Sequence, residues 1–198
     1  PVDMKEAARY CKLAADKGNI KAMYKYASML YKGQGVSKNE EEASRYCKMA
    51  ADKGNIDAMY NYGMMLSQGR GVSKNDEEAC RYYKMAVDKG NIEAMNSYGN
   101  MLSQGRGVSK NEEEACRYYK MAADKGNIVA MHNYGMMLSK GLGVSKNEEE
   151  ACRYFKMAAD KGNIEAIHKY RMMQFEGFCV SKNEEEACRY CKMAADKG

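Results

Sequence analysis

Glycine returns every 36 residues along this chain, at Gly18, Gly54, Gly90, Gly126, Gly162 and Gly198. Around it the text recurs almost letter for letter, as "DKGNIDAMYNYGMMLSQGRGVSKN" at residues 52–75 and "DKGNIEAMNSYGNMLSQGRGVSKN" at residues 88–111. A fixed period of this size restricts the fold to stacked copies of one supersecondary unit, because a single copy cannot bury its own apolar face. The chain divides into a half-unit at 1–18 and five units at 19–54, 55–90, 91–126, 127–162 and 163–198, read as a single repeat domain over 1–198.

Each unit reads as two helices. In the second unit helix A starts after Asn55, a good N-cap, and stops near Gly69, a good C-terminal stop. A loop "GRGVSKN" follows. Helix B has Ser73 or Asn75 as its N-cap, since each has an acid three residues on, and it ends at Lys89 with Gly90 as the left-handed stop. Glu77 precedes Arg81 by four residues, the favourable order for a helical ion pair. Strand signals are absent, so the expected class is all-α, built from 36-residue helix-turn-helix units.

Charge argues against one partner class. The net charge of +5 is dispersed, because a block such as "SKNEEEACRYYKMAADK" carries four acids and four bases. A nucleic-acid binder concentrates its basic residues in a stripe, so nucleic acid is not an expected partner. No apolar run approaches the ~18 residues of a membrane span. The chain begins at Pro1 and reads as a piece of something longer. Of its eight cysteines, Cys80, Cys116, Cys152 and Cys188 recur at one phase. Stacked helices lie about 8–10 Å apart, beyond the ~7 Å Cα separation a disulfide allows. Free, half-buried thiols in a reducing cytoplasm are therefore expected.

The pattern in the third unit, carried by Ala94, Tyr98, Gly99, Leu102, Gly105, Gly107, Val108, Asn111, Ala115, Tyr118, Tyr119, Lys120, Ala122 and Gly126, resembles the Sel1-like repeat, a relative of the tetratricopeptide repeat. The resemblance implies a right-handed α/α superhelix of helix pairs with helix A lining a concave face. It also implies an adaptor that assembles other proteins. A secreted subgroup carries two cysteines per repeat that bridge the helices, and has been linked to β-lactam binding. Most units here carry one, so those disulfides and that chemistry are not carried over.

Five copies in one chain permit an internal comparison. With Asn as position 1, positions 4, 5, 8, 11 and 12 of helix A keep Ala, Met, Tyr, Met and Leu in nearly every copy and fall on one side of the helix. That side is the expected core, flanked by the small residues Ala27, Gly63, Gly99 and Gly135. The varying positions 3, 6, 7, 10, 13 and 14 fall opposite. Position 6 reads Tyr24, Tyr60, Asn96, His132, His168, and position 10 reads Ser28, Met64, Asn100, Met136, Met172. One reading is drift of exposed residues, which costs little stability. The other is a binding stripe, since helix B varies far less on its own exposed face. The stripe also holds aromatics, Met and Asn, which suit a contact surface. On this reading the partner-binding residues are Tyr24, Tyr60, Asn61, Met64, Asn96, Asn100, His132, Asn133, Met136 and His168.

Other constellations point to packing. His132 and His168 are a whole repeat apart, too far to share one metal ion. Cys188 and Cys191, with Cys179 nearby, lack a convincing fourth zinc ligand and any βαβ context for redox work. The position of Cys191 holds Tyr83, Tyr119 and Phe155 in the second to fourth units, which marks it as a packing position. Glutamate triplets such as Glu112-Glu113-Glu114 complement helix N-termini, and the Gly-x-Gly-Val loops lack the Lys-Ser/Thr of a phosphate cradle. No catalytic set, metal or cofactor is expected. The fifth unit departs: Arg171 replaces the small residue, Gln174 replaces Leu, Phe175 replaces Ser and Cys179 replaces Gly. Burial of these polar groups predicts a local shift of the helix or an end to the array, with Arg171 reaching out to water. The expected function is a scaffold that binds a peptide or partner protein along the A helices. The alternatives are a small-molecule or weak hydrolase role, as in the secreted subgroup, and a structural spacer.

Overall fold

The computed structural model describes residues 3–179, and these form ten helices and no strand. They are α1 (Met4–Asp16), α2 (Ile20–Lys32), α3 (Glu40–Asp52), α4 (Ile56–Gln68), α5 (Asp76–Asp88), α6 (Ile92–Gln104), α7 (Glu112–Asp124), α8 (Ile128–Lys140), α9 (Glu148–Asp160) and α10 (Ile164–Glu176). The even-numbered helices are the A helices and the odd-numbered ones the B helices. The fold is an all-α helical-repeat solenoid, as the period predicts. Two compact units are distinguished, one of residues up to Ala94 with Arg106–Ser109, the other of Met95–Gly105 with residues from Lys110 on.

Local chemistry sets the helix ends. The side chains of Asn19, Asn55, Asn91, Asn127 and Asn163 each accept the amide of the alanine three residues on, at 2.7–2.9 Å. Asn39, Asn75, Asn111 and Asn147 do the same for a glutamate amide at 2.9–3.0 Å. Asn75, not Ser73, is therefore the cap of α5. Gly33, Gly69 and Gly141 end their helices in the left-handed conformation, which costs an L side chain energy and glycine none. Arg81 pairs with Glu78 at 3.5 Å, three residues back, rather than with Glu77. Its guanidinium lies over the Tyr82 ring at 5.1 Å, which holds it on that side of the helix.

Within the first unit, Tyr26 meets Tyr46 edge-on at 5.0 Å between ring centroids, and Tyr62 meets Tyr82 at 4.8 Å. In the second unit Tyr98–Tyr118 and Tyr134–Tyr154 repeat the contact at 5.0 and 4.7 Å. Each pair contributes about 0.5–1.5 kcal/mol beyond its burial. B-helix tyrosines also join successive repeats. The Tyr46 hydroxyl donates to Asp16 and that of Tyr82 to Asp52, both at 2.5 Å. Tyr154 donates to Asp124 at 3.1 Å in the second unit. The expected core positions are buried in the A helices, as Ala58, Met59, Tyr62, Met65 and Leu66 show in α4.

At the fifth repeat one of two alternatives, the shifted helix, is ruled out, and one expectation, a free thiol at Cys152, is corrected. α10 keeps its register, burying Ala166, Ile167, Tyr170, Met173 and Gln174 at the standard core positions, with Arg171 half-buried. The helix therefore does not shift. Gln174 is 7% exposed; its Nε2 donates to the Tyr170 hydroxyl at 3.1 Å, while its Oε1 is buried without a partner. Cys152 is not a free thiol but forms a disulfide with Cys179, at a Cα separation of 5.7 Å. The two cysteines differ in phase, so the helix-stacking distance that separates cysteines of like phase does not separate them. In the first four repeats the second loop glycine packs against the start of the preceding B helix. A Cβ on Gly107 would lie 2.1 Å from the Asp76 carbonyl oxygen, and one on Gly143 2.2 Å from that of Glu112. Cys179 stands at that loop position, beside the helix that carries Cys152. Cys11, Cys47 and Cys116 are free thiols, while Cys188 and Cys191 lie outside the described residues.

Candidate partner-binding stripe

The A helices position the varying residues because their opposite side is committed to the core. In the first unit Tyr24, Tyr60, Asn61 and Met64 are all half-buried. Asn61 Nδ2 donates to the Tyr24 hydroxyl at 2.7 Å, so neighbouring A helices are bonded directly across the stripe. Burial pushes the Tyr24 phenol above its ordinary range, with Asp57 adding to the effect. Tyr60 packs on Tyr83 at 5.9 Å between centroids.

The second unit repeats the arrangement with other residues. Asn133 Nδ2 donates to Asn96 Oδ1 at 2.9 Å, the same position-7 to position-6 bond as Asn61 to Tyr24. Asn100 Oδ1 accepts from the Tyr119 hydroxyl at 2.7 Å. His132 lies against Phe155 at 5.6 Å, with Nδ1 buried and unbonded, and burial lowers its imidazole pKa from the ordinary value. Met136 is half-buried, whereas His168 is exposed. The structure thus brings Asn96, Asn100 and Asn133 together. Their mutual bonds use part of the hydrogen-bonding capacity of these side chains, and each amide retains further groups.

A cavity of about 280 Å³ opens within the stripe of the first unit, lined by residues that include Tyr24, Ser28, Tyr31, Asn61 and Met64. Ala27, Ser28, Tyr31 and Cys47, absent from the sequence-derived set, also line it, with Lys32 among the others. The signal that finds them is Cys47, which stands where the second to fourth repeats carry an aromatic ring. On the B-helix side, open depressions beside Arg45 and Arg153 are lined largely by charged residues and caps. Arg45–Glu42 and Arg153–Glu150 pair there at 3.6 and 3.5 Å, a repeat feature of the solvated face. Among the described residues no three His, Cys, Asp or Glu side chains gather as metal ligands, and no helix is long and apolar enough to cross a membrane.

Helix pairs of fixed length, stacked through like contacts in each unit, define a helical-repeat protein. The chain belongs to the Sel1 repeat family, whose description it matches over residues 1–19, 20–55, 56–91, 92–127, 128–163 and 165–198. It is similar in structure to c5321, a protective antigen present in uropathogenic Escherichia coli strains, at 26% identity and a TM-score of 0.93. That match covers 99% of this chain and 42% of the antigen's. A Sel1 repeat protein from Oxalobacter formigenes is 29% identical with a TM-score of 0.85, covering 96% of this chain and 76% of that one. Immunity protein Pa5087 from Pseudomonas aeruginosa shares the fold at 20% identity and a TM-score of 0.59, over 98% and 74% of the two chains. No curated protein matches in sequence.

Proposed function

We propose that this chain is a non-enzymatic protein-interaction scaffold that holds a peptide or partner protein along its A-helix stripe. The observation that carries the reading is the contrast between the two faces of each A helix. One face is constant and buried, and the other varies in Tyr, Asn, Met and His while remaining half-open to solvent. Half-exposed aromatics and Met supply contact area at low ordering cost, as interface anchors do. The contact residues are Tyr24, Tyr60, Asn61 and Met64 in the first unit, and Asn96, Asn100, His132, Asn133, Met136 and His168 in the second. The Cys152–Cys179 disulfide favours an oxidising compartment over a reducing cytoplasm.

Affinity capture from the native cell, read by mass spectrometry, tests the assignment with Tyr60→Ala, Asn96→Ala and His132→Ala. Truncation of an anchoring residue is expected to weaken capture by about tenfold or more. Undiminished capture by all three variants would remove the stripe from consideration.

A further inference from the structure

Three repeats show how the space beneath the stripe is normally filled. Helix B sends a ring against the small residue of helix A: Tyr83 at Gly63, Tyr119 at Gly99 and Phe155 at Gly135. The fit is tight, since a Cβ on those glycines would come within 2.9, 2.8 and 2.9 Å of the ring. Where the ring is a tyrosine, its hydroxyl finds polar company on helix A. The Tyr83 hydroxyl lies 3.2 Å from Ser67 Oγ, and that of Tyr119 lies 3.2 Å from Ser103 Oγ while donating to Asn100 Oδ1.

The repeat at 19–54 lacks this ring. Its helix B carries Cys47 at the aromatic position, its helix A carries Ala27 in place of glycine, and the 280 Å³ cavity lies between them. That volume falls just below the ~300–1,000 Å³ typical of ligand pockets, in the range of a single ring. The walls are fixed by their own bonds. The Cys47 thiol donates to the Ala58 carbonyl at 3.5 Å, Asn61 bonds Tyr24, and Arg70 bonds the Tyr31 hydroxyl at the rim. Ser28 occupies the position of Asn100, the acceptor of the Tyr119 hydroxyl. Burial pushes the Cys47 thiol up to about 12, so it is a wall and not a nucleophile.

We propose that this cavity is a seat for one phenolic ring, supplied by a tyrosine of the bound peptide. The ring stacks on the Ala27 methyl and above Cys47, with its hydroxyl directed to Ser28. It takes the place that Tyr83 and Tyr119 fill from within. The proposal rests on the scaffold reading and names one side chain that the partner must present.

Amide-resolved NMR titration with p-cresol and with N-acetyl-tyrosinamide tests it on the whole chain. Both probes are expected to shift the amides of Ala27, Ser28 and Tyr31 saturably. The double variant Ala27→Gly, Cys47→Tyr rebuilds the self-filled arrangement and is expected to weaken both probes by about tenfold or more. Ala27→Leu fills the same space from the opposite helix and serves if the first variant does not fold. Absence of shifts, or shifts that persist in a folded filled variant, overturns the seat. Binding of p-cresol without N-acetyl-tyrosinamide overturns the peptide source. Capture that Tyr60→Ala abolishes and the filled variants leave intact sinks the seat but spares the stripe, whereas capture indifferent to every stripe variant sinks the scaffold reading itself.

Discussion

Gln174 shows what one polar atom costs inside a repeat that otherwise packs like its neighbours. Leu30, Leu66, Leu102 and Leu138 occupy its position elsewhere and are each 1–2% exposed. Gln174 is buried as they are, yet only its amide nitrogen is hydrogen-bonded. An unsatisfied buried acceptor costs about 1–3 kcal/mol, and an apolar group of like shape removes that cost. Gln174→Leu is therefore expected to stabilise the chain by about 1–2 kcal/mol, seen as a higher midpoint in urea unfolding. A midpoint that is unchanged or lower would mean the carbonyl has a partner in solution. The Tyr170 hydroxyl loses one donor in the variant, which sets the lower end of the range.

At the scale of the element, the loop after each A helix is governed by the start of the preceding B helix. The close approach of Gly107 to Asp76 and of Gly143 to Glu112 explains why the second loop position is glycine. The same proximity places Cys179 within bonding distance of Cys152. The bridge closes 27 residues, for which the chain-entropy model gives about 3–4 kcal/mol against the unfolded chain. Cys179→Ser is expected to lose a large part of this, as a lower urea midpoint for the transition of the second unit. Reductant added to the wild type should reproduce the loss, and a midpoint insensitive to both would show the bridge to be energetically idle. Much of this architecture was legible beforehand. The period, the asparagine caps and the glycine stops marked nearly every helix end, because each acts through bonds within a few residues. The disulfide was not legible, since it depends on a loop meeting a helix 27 residues away. For the same reason the bonds Asn61–Tyr24 and Asn133–Asn96, 37 residues apart, were not legible either. Constancy alone was also an incomplete guide. Ile20, Ile56 and Ile164 hold one position in their repeats yet are 36–39% exposed, so an unvarying residue is not always a core residue.

The whole molecule draws its electrostatic character from one motif used again and again, an aspartate at the end of a B helix shared between a lysine and the tyrosine of the next. Lys12 bonds Asp16 at 2.7 Å and Lys48 bonds Asp52 at 2.6 Å, each aspartate also accepting its tyrosine hydroxyl. The Lys12 bond, followed by that of Tyr46, lowers the Asp16 pKa below its ordinary 3.8. At Asp52 burial acts in the opposite direction, but Lys48 and Tyr82 outweigh it and the pKa is again lowered. Asp76 is held down by Arg106, bonded at 2.7 Å. The sign follows from linkage. A carboxyl with a lowered folded-state pKa stabilises the fold above its unfolded value, and that contribution is lost as pH falls through the folded-state value. Exposed pairs are each worth little, so it is the repetition that makes the effect measurable. His132, held below 6.5 by burial, gives a shallow decline as pH falls below that value. The aspartates are then expected to produce a steep one below about pH 4. Thermal unfolding followed from pH 7 to pH 2 checks this, with Asp16→Asn, Asp52→Asn as the comparison. The double variant should have a lower Tm at pH 7 and a smaller fall across the acid limb, so that the two curves converge at low pH. Parallel curves would assign the acid limb to other carboxylates and leave the aspartate–tyrosine links as neutral contacts.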